Sequence, residues 1–304
     1  MSRASARSFA SSIALLGVTA GLAGCGFGPG DEVGSSRVMV TRDYGMVSMY
    51  DEVLPVRESD DAMRLLTDLS AEVGTSYGGG FVDSIDGYGS GSKQGVETDW
   101  FFFVDGTESP VGALEARVAP GETVWWDRRD WSQTMHVPAV VGSWPRPFGQ
   151  DSPTVSVACL MSVRRACQGV VEDLRGTGSR VVVGRRSEGP LRVLIGPWRE
   201  VRRDRLASSL ERGPSASGVY ATFAESGGEW LVSALDSSGR SVGGPWKSGI
   251  VAALSGNAQS VTWVISGSDE ASVPTGLLSA DLEQRYAVLY RGGTDSGAVG
   301  VPVR

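Results

Sequence analysis

The segment Trp100-Phe101-Phe102-Phe103-Val104-Asp105-Gly106 is the most aromatic of the chain, and it narrows the fold more than any other stretch. Aromatic and β-branched residues in an unbroken run suit a strand. An Asp-Gly pair directly after such a run is a strong signal for a tight turn between antiparallel strands. Leu114-Glu115-Ala116-Arg117-Val118 alternates with period two, which predicts another strand. Pro120-Gly121 turns the chain again, and Glu122-Thr123-Val124-Trp125-Trp126 runs back. Upstream, Arg37–Arg42 is a strand candidate ended by Tyr44-Gly45, and Phe81–Gly87 is another. Between these two, Ala62, Leu65, Leu66, Leu69 and Val73 fall at helical spacing. Ser59 is the expected N-cap, Asp60 and Asp61 suit the positive end of the helix dipole, and Gly74 is the expected stop. One helix followed by several strands joined by tight turns predicts a β-grasp-like domain over residues 37–150.

From residue 151 onward the pattern changes. Strands are predicted at Val155–Cys159, Arg180–Gly184, Leu191–Gly196, Val219–Phe223, Glu229–Leu235, Gly249–Leu254, Val261–Gly267 and Tyr286–Tyr290. Helices are predicted from Val163 to Gly176, from Glu200 to Arg212, and from Ser268 or Asp269 to about Leu282, the last interrupted by Pro274. Alternating strands and helices make residues 151–304 an α/β domain, with a mixed sheet because some connections are hairpins. The class of the whole chain is therefore α+β.

The N-terminus adds an address. Arg3 and Arg7 precede an apolar run from Ile13 to Leu22, and Leu22-Ala23-Gly24-Cys25 follows. A positive start, a short apolar middle and small residues at the end form a secretory signal. A membrane span needs about 20 apolar residues, and Ile13–Gly24 is too short and too rich in Gly and Ala. Leu-Ala-Gly-Cys resembles the lipobox of bacterial lipoproteins. That resemblance implies a lipid on the Cys25 thiol, cleavage just before it, a signal at residues 1–24, a flexible tether at 25–36, and a chain held at the extracytoplasmic face of the cell membrane. A plainly secreted chain is the alternative.

A second resemblance rests on Ile85-Asp86-Gly87, Trp100–Gly106 and Pro120–Trp126. Together these look like the family of domains of unknown function related to the C-terminal domain of transcobalamin, over about residues 37–135. Asp105 departs from the family, where Asn is more usual, although either residue serves such a turn. The resemblance implies a small β-grasp module on secreted proteins. In the transcobalamin relatives such a module closes over a corrinoid, but a ligand does not transfer with a fold, and the second half of this chain lacks the helical-barrel domain that partners the module there. No cofactor is therefore assigned.

With Cys25 given to the lipid, Cys159 and Cys167 remain. In an oxidising compartment two such cysteines pair, and a bridge is geometrically possible if Cys159 ends a strand and Cys167 lies at the start of the next helix. Two buried thiols are the alternative. The chain has 28 basic and 35 acidic residues, and residues 1–24 hold Arg3 and Arg7 and no acid, so the remainder is more acidic still. Such a balance disfavours nucleic acid, which needs clustered positive charge. Arginines nevertheless outnumber acids two to one between Cys159 and Gly213, with Arg185-Arg186 and Arg202-Arg203 as the densest pairs. These four are candidates for contact with an anionic envelope polymer, against the reading of solvated helix faces.

Trp125, Trp126 and Trp131 are candidates for an aromatic binding face, against the reading of core packing; neighbours on a strand point to opposite faces. His136 is the only histidine, so a histidine-based metal site is not available. Gly176-Thr177-Gly178 follows a helix and precedes a strand, the reverse of the dinucleotide order. Gly267-Ser268-Asp269 sits after a strand but lacks further glycines and a lysine, and reads as a helix cap. No catalytic constellation is assigned. The function expected is non-enzymatic binding of a small molecule or an envelope partner, with a structural envelope role through the arginine-rich face as the alternative.

Overall fold

A computed structural model of the chain describes residues 30–257, 259–277, 282–291 and 297–303. The expected signal, with Cys25, lies outside the described residues. Strand takes 45% and helix 15% of the described residues, spread over several sheets, which places the fold in the α+β class with strand dominant.

Strands β1 (Glu32–Arg42) and β2 (Val47–Arg57) form an antiparallel hairpin. Helix α1 (Ala62–Asp68) follows. A small antiparallel sheet comes next, made of β3 (Val73–Ser76), β4 (Phe81–Ile85) and β5 (Tyr88–Gly89). Then come β6 (Gly91–Lys93), β7 (Val96–Val104), β8 (Thr107–Glu108) and β9 (Thr123–Asp130). The main sheet runs β2-β1-β9-β7-β6, with β8 paired to β7. β1 and β9 are parallel at its centre, Met39 opposite Trp125, and the other pairings are antiparallel.

In the second half, β10 (Val155–Cys159) leads into α2 (Arg164–Gly176), then β11 (Val181–Gly184) and β12 (Leu191–Pro197). Two single-turn helices, α3 (Trp198–Val201) and α4 (Pro214–Ser217), precede the antiparallel sheet of β13 (Ala221–Ser226), β14 (Glu229–Leu235) and β15 (Ser241–Trp246). β16 (Ser248–Asn257), β17 (Ser260–Gly267), β18 (Ala287–Arg291) and β19 (Ala298–Val301) complete a seven-stranded mixed sheet, ordered β11-β10-β12-β17-β16-β18-β19. Its first four strands are mutually parallel and the rest are antiparallel.

The period-two rule explains the layers. On β1, Val38 and Val40 face α1, whereas Met39 faces the second half; on β9, Val124 and Trp126 face α1, whereas Trp125 faces the second half. The main sheet is thus covered on both faces. Met39, Tyr44, Phe103 and Trp125 share one apolar core with Leu194, Trp198, Tyr220, Ile250 and Tyr286. A further core lies on the α2 face of the seven-stranded sheet, where Val170 and Leu174 meet Val155, Val157, Val193 and Trp263.

Four expected elements differ. The first helix stops at Asp68, capped by Asp61 instead of Ser59, because Val73 is drawn into pairing with Ile85. Leu114–Val118 is not a strand: its Ala113 and Ala116 carbonyls accept the Met63 and Ala62 N–H groups, which the first turn of α1 leaves free. The helix expected over 200–212 breaks into α3 and a 3₁₀ segment, Ala207–Arg212, because the Asp204 carboxylate takes the Leu206 and Ala207 N–H groups and starts a new turn. Residues 268–277 are not helical, since Asp269 closes a local turn by accepting the Ser272 N–H and hydroxyl, and Pro274 follows. Seven strands were not anticipated: β2, β3, β15 and β19, and the short β5, β6 and β8.

Candidate functional site

β10 lies between β11 and β12, and the chain visits it first. It leaves β10 through α2, on the Val155 and Val157 face, to reach β11. It then returns across the other face of β10 in the six residues Arg185–Pro190 to reach β12. Crossovers of one hand that travel in opposite directions must lie on opposite faces. The short crossing is pinned to β10: the Ser187 hydroxyl donates to the Ser156 carbonyl at 2.6 Å, and the Glu188 N–H donates to the Ser156 hydroxyl at 3.1 Å. Where strand order reverses in this way, connections diverge and leave a crevice at the carboxyl ends of the strands.

A cavity of about 560 Å³ occupies this place. Ala158, Leu160, Leu194 and Val201 make an apolar part of its floor, beside the paired Arg192 and Asp204, and its rim carries Arg185, Arg186 and Arg203 with Glu188 and Glu200. Gly196 is needed beneath it: a Cβ there would stand 2.8 Å from Leu160 Cδ1 and 3.5 Å from Val201 Cγ2. The charges are unequally committed. Arg192 is held by the Ser187 carbonyl at 3.0 Å and by Asp204. Burial alone would raise the Asp204 pKa, but Arg192 and the Ala207 and Leu206 N–H groups outweigh it and hold the carboxyl below the usual range. Arg203 pairs with Glu200. Arg185 and Arg186 are exposed, and neither is engaged by another side chain among the described residues. The site can therefore offer two free guanidiniums, each a fork of N–H donors suited to phosphate or carboxylate.

Of the four arginines expected to form one face, three reach this cavity. Arg202 points elsewhere: its Nε–H and an Nη2–H donate to the Glu211 carboxylate, at 2.5 and 3.0 Å, and its guanidinium lies 4.6 Å over the Trp230 ring. That pairing, joined by the Trp198 indole N–H, keeps the Glu211 carboxyl below the usual range. Cys159 and Cys167 form a disulfide, Cα atoms 5.9 Å apart, joining the end of β10 to the first turn of α2 beside Leu160.

The tryptophans fall elsewhere. Trp125 is fully buried, its indole N–H donating to Thr41 Oγ1 at 2.8 Å, and Trp126 is buried on the opposite face, stacked on Phe102 at 4.7 Å. Both are core residues, and only Trp131 keeps partial exposure. The pair thus presents no open aromatic face. Next to Trp125 lies a polar hub unreadable from local sequence. Asp127, fully buried, accepts the Thr41 hydroxyl (2.6 Å), the Tyr44 and Gly45 N–H groups (3.0 and 3.1 Å) and the Tyr286 hydroxyl (2.9 Å). Burial raises its pKa, against the pull of these donors and of Arg129. The Tyr44 and Tyr220 hydroxyls meet at 3.0 Å. His136 is exposed and paired with Glu108 at 2.9 Å. Among the described residues, no group of three or more His, Cys, Asp or Glu side chains is placed to hold a metal ion, and no helix is long and apolar enough to cross a membrane.

Comparison with curated proteins gives no match. Among solved structures, a "putative metal binding protein" from Ruminococcus gnavus is similar at 11% identity and a TM-score of 0.24, over 32% of this chain and 97% of that one. A family profile described as "Domain of unknown function (DUF4430)" matches residues 59–129. This span falls inside the stretch 37–135 that carries the Ile85-Asp86-Gly87, Trp100–Gly106 and Pro120–Trp126 motifs. Residues 59–129, from the turn before α1 to the end of β9, are a DUF4430 domain.

Proposed function

We propose that this chain is a non-enzymatic binding protein, anchored through a lipid on Cys25 at the extracytoplasmic face of the cell membrane, that takes an anionic ligand in the cavity between β10, β11 and β12. The observation that carries the ligand reading is the pair Arg185 and Arg186, unengaged on the rim of a concave site where strand order reverses. The anchor rests on the Leu22–Cys25 motif. Residues 37–150 are taken as a β-grasp-like domain, supported by the parallel pairing of β1 with β9 at the centre of a mixed sheet that α1 covers. Residues 151–304 are the α/β domain that carries the site. The arginine-rich face of the polymer reading shrinks to the cavity rim, since Arg202 is spent on Glu211 and Trp230.

Titration calorimetry with inorganic phosphate and pyrophosphate tests the ligand. The expected result is binding that weakens steeply with salt and falls at least tenfold in Arg185→Ala/Arg186→Ala. Equal affinity in the two proteins, or no heat with either anion, would remove the reading. For the anchor, cells fed labelled palmitate should mark the wild type and leave Cys25→Ser unmarked.

A further inference from the structure

We infer that the ligand of this cavity is a small amphiphile, an anionic head on an apolar chain, and not a free inorganic anion or an extended polyanion. This rests on the anion-binding reading above and narrows it. The cavity is divided by chemistry. Its uncommitted cationic groups stand on the crossing loop, at Arg185 and Arg186, while Leu160 just after β10, Leu194 of β12 and Val201 of α3 make the apolar part of the floor beside the Arg192–Asp204 pair. A bare phosphate would engage the rim and leave that apolar floor wet. A chain lying on the floor removes it from water, at about 0.8 kcal/mol, or about fourfold in affinity, per buried methylene.

The charge balance points the same way. Arg192 is already committed to Asp204, and Arg203 to Glu200. What remains uncommitted on the rim is Arg185 and Arg186 against Glu188, an excess of one positive charge. That excess matches one small head of one or two charges. A polyanion would bring many charges to a site with two free donors and a carboxylate among them. A volume of about 560 Å³ admits one such molecule and lies in the usual range for small-molecule sites.

The test uses octyl phosphate below its micelle concentration, inorganic phosphate and the uncharged octyl glucoside, titrated into the wild-type protein, Arg185→Ala/Arg186→Ala and Leu160→Gln. Thermal melts check that each variant is folded. The expected pattern is octyl phosphate at least tenfold tighter than inorganic phosphate, with no binding of octyl glucoside. The double arginine variant should lose both anions. Leu160→Gln should lose the advantage of the octyl chain and keep the affinity for inorganic phosphate. Equal affinities for octyl phosphate and inorganic phosphate in the wild type would overturn the amphiphile and leave the anion reading standing. Binding of neither anion would overturn both. A chain advantage undiminished in Leu160→Gln, in a folded protein, would show that the chain does not lie on this floor and would also overturn the inference.

Discussion

Asp105 closes the turn between β7 and β8 with φ of +50°, its carboxylate accepting the Thr123 N–H at 2.8 Å. Burial lifts its pKa to about 6, against the Thr123 hydrogen bond and the charge of Arg146. Because folding raises this pKa, the folded chain holds the proton more tightly than the unfolded one. The favourable contribution is complete below the unfolded value near 4 and is lost as pH rises through about 6. Asn keeps the acceptor, carries no charge and tolerates positive φ. Asp105→Asn should therefore stabilise the protein by about 1–2 kcal/mol at pH 8 and by little at pH 4. Urea denaturation at the two pH values measures this, and a gain independent of pH would refute the charge argument. Asp127 shows the contrasting solution at the same scale: a fully buried carboxylate surrounded by four donors.

At the scale of elements, the β1–β2 turn is the sharpest fit in the fold. Gly45 has φ of +78°, and a Cβ there would meet the Gln284 carbonyl oxygen at 1.9 Å. Backbone cannot yield as a side chain can, so Gly45→Ala should cost more than about 2 kcal/mol through strain and lost seating of the Asp127 hub; chemical denaturation tests it, and a cost under about 0.5 kcal/mol would contradict the close approach. The turn itself was legible from Tyr44-Gly45, but its partner 239 residues later was not, because nothing local in Gln284 announces it. The same limit applies to the elements. The aromatic strands β7 and β9 and the buried strands β10, β12, β16 and β17 could be read because burial writes itself as apolar runs. β2 and β15 lie at sheet edges, with largely exposed, mixed sequences carrying Pro55 and Pro245, and leave no such trace. For the site, the arginine pairs were visible as composition. Which of them remain free was decided by Glu200 and Glu211: Glu200 takes Arg203 from one turn away, but only the fold brings Glu211 to Arg202.

For the whole molecule, the governing feature is the core that Met39, Tyr44, Phe103 and Trp125 share with Trp198, Tyr220 and Tyr286. Separating the halves would expose these large side chains on both. Calorimetric unfolding at pH 7 should therefore give one cooperative transition for the whole chain, and two resolved transitions would refute the shared core. The adjacent pair Trp125-Trp126 concentrates the matter, one ring facing α1 and the other facing the second half. Its consequence reaches into ancestry. A gene rearrangement that carried residues 59–129 to a new neighbour would deliver a half-finished surface, and only a recipient able to accept the Trp125 indole and the Phe103 ring would keep the graft.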